Sequence, residues 1–364
     1  MSRRLLVTGG AGFIGANFCE YWRTTNPKDH VVVLDALTYA GNLSNLKTLI
    51  EKGLRFVRGD IGDKAAVQDL LRTEAIGTIV NFAAETHVDR SIDDPQAFIR
   101  TNVLGTQALL EAARAHARTA GAGFRFHHVS TDEVFGTLEP KDPPFNEQTP
   151  YAPRSPYAAS KAAADHIVRA YGATYGLPYT ISNCSNNYGP RQYPEKLLPL
   201  FILNLLAGRQ LPVYGDGMQV RDWLHVRDHC RAIDRILANG RAGETYNIGG
   251  GTELPNLRIV ERLCQVVDEK MKADASLGKR FPDCPASKGR PCRELIQFVQ
   301  DRPGHDRRYA IDGGKIEREL AFKADIALED GLATTVTWYL DNEPWWREIL
   351  AKTDATARRG KASG

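Results

Sequence analysis

Residues 8 to 15 read Thr-Gly-Gly-Ala-Gly-Phe-Ile-Gly, placing Gly9, Gly12 and Gly15 in a GxxGxxG spacing. The run follows the apolar residues Leu5, Leu6 and Val7 and opens a stretch with helical periodicity. A strand that turns into a helix through closely spaced glycines restricts the fold more than any other part of the chain. Lacking Cβ atoms, Gly9 and Gly12 let the backbone turn tightly and approach a pyrophosphate, and Gly15 lets the helix lie close to the sheet. The helix N-terminus adds amide donors and a partial positive charge. Asp35 ends a second strand candidate 20 residues beyond Gly15. A carboxylate there hydrogen-bonds ribose hydroxyls and repels a 2′-phosphate. Ala36, Leu37 and Thr38 bring no Arg or Lys, so NAD is expected over NADP. Asp60 and Ile61 end the third strand candidate and are expected beside the adenine. Phe82, Ala83 and Ala84 end the fourth and would form a surface against the cofactor.

The rest of the first half repeats this alternation. Strand candidates at 5–8, 31–35, 55–58, 78–82, 124–130 and 179–183 are separated by helical patterns at 13–24, 64–73, 95–117 and 156–175. Such alternation implies βαβ units around a parallel sheet buried on both faces. The expected fold is α/β: a Rossmann-type doubly wound parallel sheet with a smaller, mixed α/β C-terminal substrate domain. A run at 244–248 reads as a strand returning to the sheet. The expected division gives 1–188, with about 222–256, to the cofactor domain, and 189–221 with 257–350 to the substrate domain. Residues 273–292 show no clear period and read as a loop or insertion, and 351–364 as a disordered tail.

Composition excludes several function classes. With 47 basic against 44 acidic residues and no long basic run, the chain lacks a nucleic-acid footprint. Six cysteines without CxxC spacing read as reduced thiols, not a zinc site. The start reads as a first strand, not a signal peptide, and no run of about 18 apolar residues occurs. A soluble, cytoplasmic protein is expected. His87, His127 and His128 lack metal-ligand spacing and read as core or near-site histidines. Trp338, Trp345 and Trp346 read as packing for the smaller lobe.

Two further motifs carry chemistry. Ser155-Pro156 is a helix start, with Ser as N-cap and Pro in the first turn. Tyr157 and Lys161 then share one helical face, roughly 6 Å apart at Cβ. An ammonium near a phenol favours the phenolate, so Tyr157 can act as base toward an alcohol. Thr131, Asp132 and Glu133 follow the fifth strand candidate at its C-terminal end, where open α/β sheets bind ligands. A solvated acidic turn would also contain such a pair. Beside a Tyr/Lys redox pair, however, two carboxylates add an elimination. Oxidising a sugar 4-hydroxyl acidifies the C-5 proton; one carboxylate can remove it while the other protonates the leaving 6-hydroxyl.

At these residues the chain resembles the sugar-nucleotide dehydratase branch of the extended short-chain dehydrogenase/reductase family, over about residues 3–346. The resemblance runs through 8–15, 34–42, 85–92, 130–136, 157–161, 183–190, 194–197, 221–223 and 301–306. It implies an NAD-dependent homodimer acting on a nucleotide sugar, dTDP-glucose, with subunits meeting through 95–117 and 156–175. It also implies Tyr157 as base at the 4-hydroxyl, tuned by Lys161, and Thr131 hydrogen-bonded to that oxygen. Glu133 would remove the C-5 proton and Asp132 protonate the leaving group. Phe13, Ile14, Thr101 and Asn187 join the cofactor residues on the same basis. Thr86, Asn186, Lys196, Leu197, Pro212, Val213, Tyr214, Arg221, Asn256, Asp301, Arg302, Pro303, Gly304 and His305 would hold the nucleotide sugar. Arg221 and Arg302 suit its diphosphate because guanidinium offers paired donors. Phe135, Ala36 and Arg191 depart from the family's usual tyrosine, lysine and aromatic residue. A related UDP-sugar 4-epimerase or decarboxylase would use the same Tyr/Lys pair but has no task for Asp132. A non-catalytic NAD-sensing protein would need neither Tyr157 nor Lys161.

Overall fold

The computed structural model describes residues 2–121, 123–301 and 304–352. Twelve strands lie among them: β1 (Arg4–Thr8), β2 (His30–Asp35), β3 (Arg55–Arg58), β4 (Thr78–Asn81), β5 (Arg125–Thr131), β6 (Tyr179–Cys184), β7 (Asn186–Tyr188), β8 (Leu211–Tyr214), β9 (Val220–His225), β10 (Thr245–Ile248), β11 (Glu253–Pro255) and β12 (Ile296–Val299). Seven form one parallel sheet in the order β3-β2-β1-β4-β5-β6-β10. The strand order reverses at β1, and the carboxyl ends share one rim, the usual ligand-binding edge of such sheets. The run expected at 244–248 is β10, at the edge beside β6.

Side-chain alternation explains the double layer. Leu5, Val7, Val31 and Val33 pack with Phe18, Trp22, Cys230 and Ile233 on one face. Leu6, Val32, Leu34 and Ile79 pack with Leu71, Leu109, Leu110 and Val168 on the other. An unbroken apolar strand therefore feeds two cores at once. The helices Phe13–Thr25, Lys64–Thr73 and Pro156–Tyr175 form where periodicity placed them.

The helical pattern at 95–117 is not one α-helix. It divides into Pro95–Phe98, a π-helical stretch Ile99–Gly105 and the α-helix Thr106–Ala120. Within the π-helical stretch, Asn102 bonds the backbone of Glu85 in both directions (2.8 and 3.0 Å) and Ser160 Oγ (2.8 Å). This ties the segment after β4 to the helix bearing Tyr157.

In the smaller lobe, the helix Leu197–Leu206 is apolar on nearly all sides. It packs against Asn256–Ala273 and Leu328–Asp341. The pairs β7–β9 and β8–β12 are parallel, and β11 is antiparallel to β9. The segment 273–292 is not a loop. It contains the helix Ala275–Arg280 and the turn Pro285–Lys288, with Leu277, Phe281, Cys284 and Cys292 buried in this core. Gly278, Pro282 and the intervening charges obscure the i, i+4, i+7 spacing of Leu277, Phe281 and Cys284. Trp345 donates Nε1–H to Asn45 Oδ1 (2.8 Å), fastening the C-terminal helix Glu343–Lys352 to the larger lobe. Among the described residues, no helix is long and apolar enough to cross a membrane. The proposed tail at 351–364 falls outside the described residues from 353 onward.

Leu332 is fully buried in the smaller core. Leu332→Ala should cost about 2–5 kcal/mol, read as a lower urea midpoint. A loss below about 0.5 kcal/mol would contradict this packing.

Candidate active site

The glycine turn lies on the sheet's carboxyl rim. Gly9 takes φ +66°, and a Cβ there would stand 2.6 Å from the Ala83 nitrogen. A Cβ on Gly15 would stand 2.4 Å from the Gly9 carbonyl oxygen. Backbone packing therefore excludes side chains at both positions. Gly12 is the N-cap of Phe13–Thr25, where no side chain caps the helix and no acidic residue occupies the first turn. The amides around Phe13, Ile14 and Gly15 thus form a donor cluster suited to a phosphate. Asp35 is buried at the end of β2 and accepts from Ala11 N (2.9 Å) and Leu37 N (2.8 Å). Burial pushes its carboxyl upward, opposed by these two bonds. Ala36, Leu37 and Thr38 leave β2; Asp60 and Ile61 follow β3; Phe82, Ala83 and Ala84 follow β4. Thr101 lies in the π-helical stretch. This rim, with a rigid glycine turn, an open helix N-terminus and a carboxylate one strand away, fits a dinucleotide.

The groups expected to react start from β5. Thr131 ends the strand, and Asp132–Phe135 forms a single 3₁₀ turn. The Thr131 hydroxyl accepts from Glu133 N and donates to Asp132 Oδ1, both at 3.3 Å. Asp132 is 2% exposed. Burial first, then the Glu133 and Asp222 carboxylates, hold its pKa well above the ordinary range. The acidic pair is therefore no solvated turn: one member is biased toward the protonated form. Phe135 packs against Phe145 and Tyr151, a site that makes no use of a hydroxyl.

Ser155 Oγ accepts from Ala158 N (3.1 Å), and Pro156 opens the helix bearing Tyr157 and Lys161. Burial, then Glu133 and Cys184, raise the Tyr157 phenol well above its usual range, while the Thr131 hydroxyl lowers it. Lys161 is shifted down by burial and held up by Asp165. Its Nζ donates to Val129 O (2.8 Å) and lies 3.5 Å from His128 Nε2. Asp165 in turn accepts from Ser130 (2.8 Å) and Tyr151 (2.9 Å). The histidines expected in the core are there: His127 contacts the Thr180 and Ser182 hydroxyls, and His128 contacts Asn81.

A cleft of about 150 Å³ opens between the lobes. Among residues expected at the nucleotide sugar, Thr86, Asn186, Lys196, Leu197, Tyr214, Arg221, Asn256 and His305 line it, together with Glu133. Asn187, expected with the cofactor, also lines this cleft and accepts from His229 Nδ1 (2.9 Å). Lys196 Nζ donates to Thr86 O (2.9 Å). Arg221 is buried, bonded to the Val220 and Asp306 carbonyls and stacked 4.2 Å from the Tyr309 ring centroid. Asp222 accepts from Gly250 N and Thr252 N, both at 2.9 Å. Pro212 and Val213 form β8 behind Tyr214, with Val213 in the core. Asp301 accepts from Gln219 (2.8 Å) and contacts His305 Nδ1 (2.6 Å). Gly304 takes φ +66° in the same segment; Arg302 and Pro303 lie outside the described residues.

Sequence reasoning read His87 as a core or near-site histidine, and it lines the cleft; Gln192, Trp223 and Tyr309 were missed as cleft residues. Trp223 was recoverable, because it shares a strand face with Arg221 two residues away. Gln192 and Tyr309 depend on tertiary placement of loops. The buried Oδ1 atoms of Asn186 and Asn256 and Nε1 of Trp223 have no protein partner among the described residues. Such atoms fit a polar ligand.

The raised Asp132 pKa has a stability consequence. Its unfolded value is about 3.9. The folded chain holds the proton more tightly, so stability falls as pH rises from there toward the folded pKa. Asp132→Asn removes this slope, up to about 1.4 kcal/mol per pH unit. The variant should be more stable than the parent near neutral pH, with the gain vanishing below about pH 4. Parallel pH–stability curves from chemical denaturation would contradict this.

Residues 6–335 match the family model described as GDP-mannose 4,6 dehydratase. The dTDP-glucose 4,6-dehydratase of Xanthomonas campestris pv. campestris (strain B100) is 53% identical over 350 residues, 95% of each chain. That of Escherichia coli is 46% identical over 371 residues, covering 98% of this chain and 99% of its own. Among solved structures, DesIV, a dTDP-glucose 4,6-dehydratase from Streptomyces venezuelae with NAD and TYD bound, superposes with a TM-score of 0.82. It is 48% identical, over 95% of this chain and 99% of its own. A Thermotoga maritima UDP-glucose 4-epimerase with UDP-glucose reaches a TM-score of 0.78 at 26% identity, over 93% and 99%. The glycine turn, the Tyr/Lys helix and these likenesses lead to one conclusion: the chain belongs to the sugar-nucleotide dehydratase branch of the extended short-chain dehydrogenase/reductase family.

Proposed function

We propose that the protein is an NAD-dependent dTDP-glucose 4,6-dehydratase, converting dTDP-glucose to dTDP-4-keto-6-deoxyglucose and water, a step toward deoxysugars such as dTDP-rhamnose. The observation that carries this reading is Asp132, buried and biased toward its protonated form beside Glu133 and Tyr157. A 4-epimerase or decarboxylase gives such an acid no task. The names of the relatives and the NAD and TYD in the DesIV structure support the same substrate and cofactor. The reading keeps 1–188 with about 222–256 as the cofactor domain and the remaining segments to 350 as the substrate domain.

When bound, NAD supplies the hydride acceptor at C-4 and the donor at C-6, so the cycle yields no net NADH. The chain's own groups handle the protons. Thr131 orients the 4-oxygen, and Tyr157 removes its proton. Burial holds Tyr157 as a phenol, so the Lys161 charge must offset the phenolate. Glu133 removes the C-5 proton while Asp132 delivers its proton to the 6-oxygen, and water leaves; as C-6 is reduced, Glu133 returns a solvent-exchanged proton to C-5. Arg221 and Lys196, both lining the cleft, supply positive charge for the diphosphate.

The reading includes a cytoplasmic homodimer. Ile99, Leu104 and Tyr175 are 46%, 59% and 50% exposed on the proposed contact segments, and Ile92 nearby is 47% exposed. Apolar exposure along these adjoining helices supports a self-association face. Leu104→Glu should shift sedimentation from dimer to monomer; an unchanged dimer would place the interface elsewhere.

Glu133→Gln tests the division of roles. Mixed with NAD and dTDP-glucose, the variant should develop reduced-nicotinamide fluorescence but form the 4-keto-6-deoxy product at least about 100-fold more slowly. Loss of the fluorescence in a folded variant would assign Glu133 to oxidation instead.

A further inference from the structure

The six cysteines lie apart in the sequence, and all six are buried free thiols. The fold brings two of them together. Cys284 precedes the turn Pro285–Lys288, and Cys292 opens the turn Cys292–Leu295. Between them Gly289 takes φ +69°, and Arg290 N donates back to Pro285 O (3.0 Å). The chain therefore doubles back over eight residues and sets the two Sγ atoms 3.8 Å apart, both side chains fully buried. Backbone bonds hold each half: Cys284 N donates to Phe281 O (3.2 Å), and Cys292 N donates to Asp268 Oδ1 (3.0 Å). A disulfide needs an S–S distance of about 2.05 Å, so the two sulfurs stand within about 2 Å of bonding distance.

We propose that Cys284 and Cys292 form a disulfide-forming pair, oxidised by a low-molecular-weight disulfide of the glutathione type. The two thiols are not equivalent. Either sulfur can donate in the contact between them; with Cys292 as donor, that bond and then the amides of its own turn lower the Cys284 pKa, while the bond, burial and Asp268 raise that of Cys292. Cys284 is the attacking thiolate. It displaces one thiolate from the oxidant and forms a mixed disulfide. Cys292, losing its proton, then attacks the Cys284 sulfur and expels the second thiolate. The protein gives up two electrons and two protons, and the oxidant's S–S bond becomes two thiols.

Both sulfurs are buried while Lys288, Gly289, Arg290 and Pro291 are exposed, so the oxidant reaches Cys284 when this surface turn opens locally. The turn leads through Leu295 into β12, which pairs with β8 behind Tyr214 and continues to Asp301. The bond would staple the approach to one wall of the cleft.

Exposure of the intact protein to glutathione disulfide, followed by alkylation under denaturing conditions, trypsin digestion and mass spectrometry, tests the pair. Trypsin separates 281–288 from 289–293, because Arg290 precedes Pro291. The expected product is these two peptides joined by a disulfide that dithiothreitol removes, with the other four cysteines alkylated. In Cys292→Ser, Cys284 should instead retain glutathione. Oxidation should raise the thermal midpoint of the parent by about 2–6 °C and leave that of Cys284→Ser/Cys292→Ser unmoved. Recovery of both thiols as alkylated peptides, or of glutathione persisting on Cys284 in the parent protein, overturns the proposal.

Discussion

The parallel register of β5 between β4 and β6 fixes where the proposed reacting groups stand. Asn81 pairs with His128 on one side, and Thr131 with Cys184 on the other. Because β5 is buried on both faces, a slip of one residue would exchange its two faces and misplace both cores. Held in this register, the strand ends at Thr131 on the rim that carries the glycine turn and Asp35. The 3₁₀ turn that follows then places Asp132 inside and Glu133 on the wall of the cleft. The adjacent carboxylates thus receive different environments from one backbone turn.

That difference suits the proposed division between acid and base, and it carries a cost. A carboxyl kept protonated by burial is poorly suited to stability at neutral pH and well suited to donating a proton. Around it the protein holds a network of buried polar groups: Lys161 on the Val129 carbonyl, and Asp165 between Ser130 and Tyr151. These bonds fix the lysine without tying up the phenol. Destabilisation of this kind is common where a site needs a group in its less favoured state.

Much of this was legible in the sequence because it rests on local rules. The glycine spacing, Asp35, the Ser155-Pro156 helix start and the Tyr157/Lys161 register are short-range patterns, and the structure reproduces each. The 95–117 helix was misread in detail because a π-helical stretch keeps its apolar faces while shifting their phase. The 273–292 segment was misread because Gly278 and Pro282 interrupt an otherwise buried helical spacing. Periodicity also cannot show where a side chain turns: Lys161 lies one turn from Tyr157, yet its ammonium is bonded to Val129. The Trp345–Asn45 contact and the Cys284–Cys292 approach exist only once the chain has folded.

The central claim is that Glu133 and Asp132 add an elimination to the Tyr157/Lys161 oxidation. Turnover of dTDP-glucose in deuterated water, with the product read by NMR and mass spectrometry, tests it most directly. The account predicts a 4-keto-6-deoxy sugar nucleotide carrying solvent deuterium at C-5. A galactose epimer, or a dehydrated product without deuterium at C-5, would contradict it.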